Sequence, residues 1–532
     1  MKKFSITETE KYIKNLICVL MIIIMGFLFF ESFIHTMRLT NTSEMFEGIS
    51  YHHDNFIFNA VYMAAVLLIS SFIMPKLEKI PVKFFTALLS VTTVTFGTIW
   101  VISSQASPIN DQYCVANAAC MAAENNYTFM EDRYFSNYPF QLGMVLFYEI
   151  QIRLFSRFCD TIIYTEIINV ICLALAYAGL ITLIGKLFNN KRMQIFSAIA
   201  MMFSVQPVLY TTFVYAVIPG ITFTIYALLF EIKYFETENR KKYIFALLSV
   251  IFMALAVMVK TNNYIGLVAL IVCAAVKFLK RKKITDLVYI VVLAAVSVNI
   301  LSAVSASYEK RSGVKLGEPV PMTGYIAMGL DDPHGVLGCN AKGWYSNYYT
   351  TGNHGNHNYE TKKSSEFAVN AIKEKLKYFA SDYAYANDFF YEKNTSQWNE
   401  PSFACLWINL IVHRFNGAEP GKLAAKVIET NAGDSWSGLY EYMNVFQMLI
   451  YMSAFAGVFV CFKKKDIFCS SLILIVLGGF MYHMIFEGKS QYIMPYFILL
   501  TGFSGVGTEV LVSKTTSFIN SRKKADEKTA EQ

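Results

Sequence analysis

The chain has 532 residues, of which 55% are hydrophobic, 15% aromatic and only 16% charged, with a formal net charge of +7. Soluble domains carry about 25% charged residues, and here the apolar residues gather into runs long enough to cross a bilayer. The basic residues fall in short loops between those runs rather than on one soluble face, which excludes a nucleic-acid-binding domain and points to a polytopic membrane protein.

In chain order, Lys2-Lys3 precede the apolar run Leu16–Phe30, and Glu31-Ser32-Phe33-Ile34-His35 follow it with no small-x-small cleavage pattern. This reads as an uncleaved first span. Apolar runs at 13–34, 56–75, 82–103, 161–187, 193–212, 214–232, 242–260, 263–280, 285–306, 439–462, 467–486 and 491–512 predict about twelve membrane helices by length. With the N-terminus in the cytoplasm, alternate loops hold Lys76/Lys79/Lys83, Lys186/Lys191/Arg192, Lys233/Arg240/Lys241/Lys242, Lys280–Lys283 and Lys463–Lys465, and the tail adds Lys514, Arg522, Lys523 and Lys524. The opposite short loops are nearly free of basic residues. That asymmetry is the positive-inside pattern, and it places both termini in the cytoplasm of a cell membrane.

Two external regions are longer than turns. In 104–160, Tyr138–Phe155 is apolar on one side and carries Glu149, Gln151 and Arg153, the pattern of a helix lying in the interface. Residues 307–438, rich in Tyr, Asn and Gly with balanced charge, predict a folded external domain of mixed structure between the ninth and tenth spans. Within it 364–380 has an amphipathic helical pattern with Ser364 or Ser365 as N-cap. The expected fold class is thus an all-α polytopic membrane protein with a mixed external insertion. It would comprise three N-terminal spans (1–103), an external loop (104–160), central spans (161–306), the external domain (307–438), three C-terminal spans (439–513) and a cytoplasmic tail (514–532), whose charged end Ser521–Gln532 is expected to be disordered. Cys18, Cys172, Cys273 and Cys461 fall in apolar runs, where thiols pack as small hydrophobes. Cys114, Cys120, Cys159, Cys339 and Cys405 fall in external regions, where a disulfide can form.

Three constellations can carry chemistry. Asp111, in Pro108-Ile109-Asn110-Asp111-Gln112-Tyr113, follows a span and opens a polar stretch. A carboxylate there can act as a general base or hold a divalent cation; alternatively Asp111 caps a helix over Gln112–Ala123. Arg133 downstream can contact phosphate, while Glu131 and Asp132 read as solvated charges. Lys260 and Lys489 stand on the external side, where basic residues are scarce; a cation at the mouth of a helical bundle can neutralise a departing phosphate or simply snorkel to headgroups. In the external domain, Gly343-Trp344-Tyr345-Ser346-Asn347-Tyr348-Tyr349 and Gln397-Trp398-Asn399-Glu400-Pro401 mix aromatic faces with amides, suited either to sugars or to the domain's own core. His354 and His357 lie in a Gly/Asn-rich segment that gives no metal-binding pattern, and no metal site is predicted. Walker A, GxSxG and HExxH motifs are absent, and the spans hold few ionisable residues.

Seven segments together resemble the GT-C superfamily of membrane glycosyltransferases, in its bacterial branch related to protein O-mannosyltransferases and the aminoarabinose transferase of lipid A. They are SPINDQYCVANAA around Asp111, RYFSNYPFQLG at 133–143, VYAVIPG at 214–220, VKTNNYIGL at 259–267, GWYSNY at 343–348, KNTSQWNEPSF at 393–403 and EGKSQYIMPY at 487–496. The resemblance implies inverting transfer of a sugar from a polyprenyl-phosphate carrier to a glycan, glycolipid or protein acceptor on the outer side of the membrane, with Asp111 at the position of the key acid. Gln112 follows Asp111 where the protein mannosyltransferases carry an Asp-Glu pair, and Val217 stands where similar chains carry an acid, so the resemblance assigns no second carboxylate.

On this reading Asp111 is the catalytic acid–base group, and Lys260, Lys489 and Arg133 bind the donor phosphate. Tyr138, Gln141, Trp344, Tyr345 and Tyr492 line the sugar or acceptor pocket. A divalent cation is the cofactor left open. The competing expectation is an exporter or flippase for envelope polymer or glycolipid subunits, which requires a polar path through the bundle; a third is a polymerase or ligase acting on a lipid-linked glycan.

Overall fold

The structure, a computed structural model, describes residues 6–40, 48–156, 163–332, 341–406, 420–429 and 438–530. Long helices dominate it: α1 (Ile6–Ile34), α2 (Phe56–Leu77), α3 (Val82–Ser104), α7 (Ile163–Phe188), α8 (Lys191–Phe203), α10 (Val217–Glu236), α11 (Lys242–Val259), α12 (Tyr264–Arg281), α13 (Ile284–Ser312), α19 (Gly438–Lys463), α20 (Ser471–Ile485) and α21 (Met494–Ala530). Shorter helices sit between them: α4 (Asn110–Ala123), α5 (Arg133–Asn137), α6 (Leu142–Phe155), α9 (Val205–Leu209), α14 (Met322–Gly329), α15 (Thr351–Asn356), α16 (Thr361–Ser381), α17 (Tyr383–Trp398) and α18 (Lys422–Glu429). One antiparallel hairpin, β1 (His35–Thr40) and β2 (Gly48–His53), follows α1 in a register that pairs His35 with His53 and Thr40 with Gly48.

Eleven helices are long and apolar enough to cross a membrane, and a twelfth crossing is made if α8 and the segment to Thr212, bent by 50° at Ser204, count as one span. The break has a local cause. Ser204 adopts an extended conformation (φ −80°, ψ 99°), and Pro207, the third residue of α9, has no N–H to bond back across the break. Eleven of the expected spans therefore recur as single helices and the one at 193–212 as the bent pair, and the helix ends divide into two sets. One end of the bundle holds the Lys/Arg turns; the other holds the hairpin, α4–α6, α14–α18 and the turns at 213–216, 260–263 and 486–493.

Burial ranks the spans. Of the apolar window of α10, 78% is buried, against 11% for α2, so α10 is central and α2 peripheral. Phe56, Ile57, Val61, Ile69 and Phe72 of α2 are exposed apolar side chains, as lipid-facing residues must be. In the interior, α10 packs along α11, and α19 along α21.

Three expectations about the regions outside the spans are corrected. The described part of 313–429 is helical, and the strands lie at 35–53, directly after the first span. No strand was expected there. Helix α16 begins at Thr361, before the expected cap: Ser364 lies inside it, donating to the Glu360 carbonyl oxygen at 2.8 Å and bonding the His354 ring at 3.0 Å. The C-terminal tail is not separate from the fold, because α21 continues to Ala530. The expected interfacial helix within Tyr138–Phe155 is α6, which is short of a span. It buries Glu149, which accepts from Arg153 Nε (3.0 Å), Arg311 Nη1 (2.8 Å) and Tyr308 Oη (2.5 Å). Burial opposes ionisation of Glu149, but these donors outweigh it and hold the carboxyl below its ordinary range. The amphipathic pattern of α6 thus reflects an ion-paired packing face against α13. Cys114, Cys120 and Cys405 are free thiols, while Cys159 and Cys339 lie outside the described residues.

Candidate functional site

Asp111 is the second residue of α4, not its cap: Ile109 occupies the N-cap position and makes no side-chain capping bond. The carboxylate turns instead toward the segment between α9 and α10. There Tyr215 Oη donates to Asp111 Oδ2 at 3.1 Å, while Gln141 Nε2 donates to the same hydroxyl at 2.5 Å. The segment carrying Tyr215 is clamped from several sides. Val214 N–H donates to Gln112 Oε1 (3.0 Å), Ala216 N–H donates to Tyr148 Oη (3.0 Å), and Asn169 Nδ2 donates to the Thr211 and Phe213 carbonyls (2.9 and 3.2 Å). Ala216 is left-handed (φ 52°), a conformation costly for a residue with a Cβ and held here by that bond network.

Lys260 ends α11 with an extended backbone (φ −157°, ψ 117°), and its Nζ lies 3.4 Å from the centroid of the Tyr215 ring. An ammonium over a tyrosine face is attracted by the ring quadrupole. Burial nevertheless lowers Lys260 to about 7, with the charges of Asp111 and Glu487 opposing that shift.

Glu487 is the second carboxylate of the site. It follows α20, and its Oε1 accepts from Tyr492 Oη at 3.0 Å. Tyr492 in turn stacks on His483 with ring centroids 5.8 Å apart. Around the two acids stand six tyrosines. Tyr134, Tyr138, Tyr215, Tyr325, Tyr345 and Tyr492 are all raised, first by burial, and each also by the charge of Asp111; Tyr345 reaches about 12. Glu487 acts on Tyr138, Tyr325, Tyr345 and Tyr492 as well. All six are therefore neutral hydroxyls, able to donate and accept hydrogen bonds. The Tyr325 hydroxyl is buried without a hydrogen-bond partner among the described residues.

A groove between α10, α12, α20 and α21 ends at this cluster. Val217, Ile221, Ile265 and Pro495 form its apolar walls, and Lys260 and Tyr492 its polar end. Ile221 and Ile265 lie in the first turns of their spans, so the groove opens beside the same end of the bundle that carries Lys260, and Thr224, Asn262 and Asn263 add polar groups to its lining.

Of the residues expected from sequence, Asp111, Gln141, Lys260, Tyr138, Tyr345 and Tyr492 are brought together. Lys489 is buried two residues from Glu487 on the same segment. Arg133 is engaged elsewhere, its guanidinium 3.8 Å from the Tyr359 ring centroid. Trp344 is corrected outright. It is 3% exposed and packs with Met37, Ile49 and Ala341 beneath the hairpin, its Nε1 donating to Ser396 at 3.1 Å. The Gln397–Glu400 stretch is also interior. Glu400 accepts from the Ser402 and Ala404 N–H groups, both at 2.9 Å, in a turn where Phe403 and Ala404 have positive φ. Those amides and aromatics shape the loop-rich end and are not free to stack on a sugar. Both ring nitrogens of His354 are engaged, by Ser364 and the Glu318 carbonyl, each at 3.0 Å. Among the described residues no three His, Cys, Asp or Glu side chains converge in a metal-holding group. The sequence reading missed Glu487, Tyr134, Tyr215 and Tyr325. Glu487 stood in plain view in EGKSQY, but a lone basic residue on the sparsely charged side drew attention to Lys489.

Six of the seven quoted segments thus supply side chains to one cluster. A model for a family described as conserved hypothetical integral membrane protein matches residues 6–507. The chain belongs to that family. The matched stretch contains every residue of the cluster and ends within α21. Neither curated proteins nor solved structures give a match. The chain is accordingly an integral membrane protein whose chemistry has to be argued from the cluster itself.

Proposed function

We propose that this membrane protein is a glycosyltransferase of the GT-C kind, moving a sugar from a polyprenyl-phosphate donor to an acceptor hydroxyl at the loop-rich end of the bundle. That end is read as the outer face, because the opposite end carries the Lys/Arg turns, and both termini are read as cytoplasmic. The observation that carries the proposal is the groove, whose apolar wall of Val217, Ile221, Ile265, Ile475 and Pro495, residues of membrane-spanning helices, meets a lysine beside a cluster of two carboxylates and six tyrosines. A lipid-linked sugar phosphate has this order of parts, an apolar chain, then a phosphate, then hydroxyls.

In the proposed reaction the acceptor oxygen attacks the anomeric carbon, the bond from that carbon to the phosphate oxygen breaks, and the configuration inverts. Asp111 takes the acceptor proton. The polyprenyl phosphate leaves as a monoester, and the extra negative charge it gains is met by protonated Lys260, with Lys489 on the adjacent segment. A fixed cation in a site shielded from water is the arrangement that most strongly stabilises such developing charge. Tyr215, fixed by Gln141, holds the Asp111 carboxylate in place. Tyr138, Tyr325 and Tyr345 offer hydroxyls to the sugar.

The test is transfer of labelled sugar from polyprenyl-phosphate donors in membranes bearing the wild-type chain or Asp111→Asn. Transfer by the wild type and its loss in the variant is the expected result. Equal transfer by both removes Asp111 from the mechanism, and no transfer from any such donor removes the reaction.

A further inference from the structure

Another cavity lies at the opposite, lysine-rich end, and nothing in the proposed transfer uses it. It is bounded by the C-terminal turns of three helices and one connection: Lys186 and Leu187 of α7, Phe235 and Glu236 of α10, Lys277, Lys280 and Arg281 of α12, and Asp466, Phe468 and Cys469 before α20. We propose that this cavity binds a phosphate group, independently of what the Asp111 cluster does.

The charges differ in how firmly they are held. Glu10 and Asp286 are buried beneath the wall and pair with Lys280 (3.1 Å) and Arg281 (3.3 Å). The other two acids are on the rim: Glu236 is 50% exposed and bonds Lys186 at 2.5 Å, and Asp466 is 51% exposed and bonds Lys277 at 2.8 Å. A surface ion pair is worth only about 0–1 kcal/mol, so an entering phosphate can displace these rim carboxylates. Lys277, by contrast, is 13% exposed and rests over the Phe468 ring at 5.1 Å, so its ammonium is pre-positioned within the cavity.

Two further cations act from behind. Lys14 is buried in α1 and donates to neutral oxygens, those of Asn15, Cys461 and Phe462, at 3.1, 3.1 and 2.8 Å. Its charge and that of Lys464 reach Cys469 on the cavity wall. Helix C-termini attract cations in general, but that rule places each lysine on its own helix end. It does not explain why basic residues of two helices turn into one cavity backed by a third helix's buried lysine.

The apolar walls from Leu187, Ile232, Phe235 and Phe468 suit a lipid headgroup, whereas the cations alone would also take free phosphate. Both sources share the chemistry, and the experiment separates them. The full chain, in nanodiscs of phosphatidylcholine, is given either phosphatidylglycerol or inorganic phosphate, and bound ligand is counted by native mass spectrometry. Three proteins are compared: wild type, Lys277→Gln, and Asp466→Asn. The expected result is a saturable adduct on the wild type, about tenfold weaker in Lys277→Gln, since loss of one buried charge-assisted bond is worth about 1.4 kcal/mol or more. In Asp466→Asn the adduct tightens, because a competing carboxylate has been removed while its shape is kept. Saturable binding of phosphatidylglycerol alone assigns a lipid headgroup; equal response to inorganic phosphate assigns the free anion. Absence of any saturable adduct, or an adduct unchanged in both variants, overturns the proposal. The opposite directions of the two variants separate a binding effect from a folding defect, which would weaken both.

Discussion

Lys260 lies on the face of Tyr215, 3.4 Å from the ring centroid, while the hydroxyl at that ring's edge is bonded to Asp111. One aromatic side chain therefore keeps an acid and a base close without letting them collapse into a direct pair. Either charge remains free to act on a ligand. The geometry follows from breaks in helices: α11 stops at Lys260, and the chain between α9 and α10 is held irregular around Ala216.

The state of Lys260 should govern the pH dependence of donor binding. With its pKa lowered to about 7, it is charged below that pH and neutral above it. Binding of a polyprenyl-phosphate donor should weaken as pH rises through about 7. Because Asp111 raises Lys260, Asp111→Asn should move this loss to lower pH, and Lys260→Arg should abolish it, since guanidinium does not titrate there. Donor binding measured from pH 5.5 to 9 in the three proteins checks all of these; a flat wild-type profile contradicts the assignment.

Tyr215→Phe keeps the ring beneath Lys260 and removes only the hydroxyl. Gln141 then loses its acceptor and Asp111 its donor, a cost of about 1–3 kcal/mol for buried polar groups left unpaired. Transfer should fall about tenfold to a hundredfold, while the chain still folds and the alkaline loss at Lys260 persists. A rate equal to wild type in the labelled-sugar assay would remove the Tyr215 hydroxyl from any positioning role.

Lys393 ties the helices of the loop-rich end to the bundle. Its Nζ donates to the Gly329 carbonyl of α14 and, at 2.8 Å, to the Phe486 carbonyl after α20. Burial lowers it to about 7, opposed by Glu487, against about 10.4 in an unfolded chain. Between those values the unfolded chain holds more protons than the folded one, so stability rises with pH from about 7 toward about 10 and is lowest when Lys393 is forced to be charged. Lys393→Met should flatten that slope. Thermal unfolding in detergent at pH 6.5, 8 and 9.5 measures it; equal slopes in the two proteins would sink the argument.

Gly143 sets the approach of α6 to α11. A Cβ there would lie 2.0 Å from the Met258 carbonyl oxygen, which is backbone and cannot turn aside. Gly143→Ala should destabilise the chain by about 1–3 kcal/mol or more and, by pushing α6 away, displace Gln141 from Tyr215. Both a lowered unfolding midpoint and reduced transfer are expected; a protein unchanged in both would show that α6 yields without consequence.

The spans were legible in the sequence because crossing a bilayer demands about twenty apolar residues in a row, and that demand is local. The hairpin was not. Met37 and Leu39 alternate with Thr36, Arg38 and Thr40, but the run is short and directly continues the first span, and the hairpin takes support from outside. The Asn399 carbonyl accepts from Met37 N–H at 3.1 Å, and Trp344 fills the hairpin's underside. Trp344 was read as a sugar platform for the same reason, since an aromatic residue in a polar loop looks alike from sequence whether it faces a ligand or a core.

By itself the sequence determined the class of protein and the long apolar helices that can cross a membrane, because hydrophobic length acts residue by residue. Only the tertiary structure decided that Glu487, some 376 positions beyond Asp111 by chain numbering, joins it across Lys260 and six tyrosines, and that Arg133 and Trp344 do not. A site assembled from helix ends is a matter of which ends meet, and that is set by packing among spans whose lipid-facing and buried surfaces are both apolar.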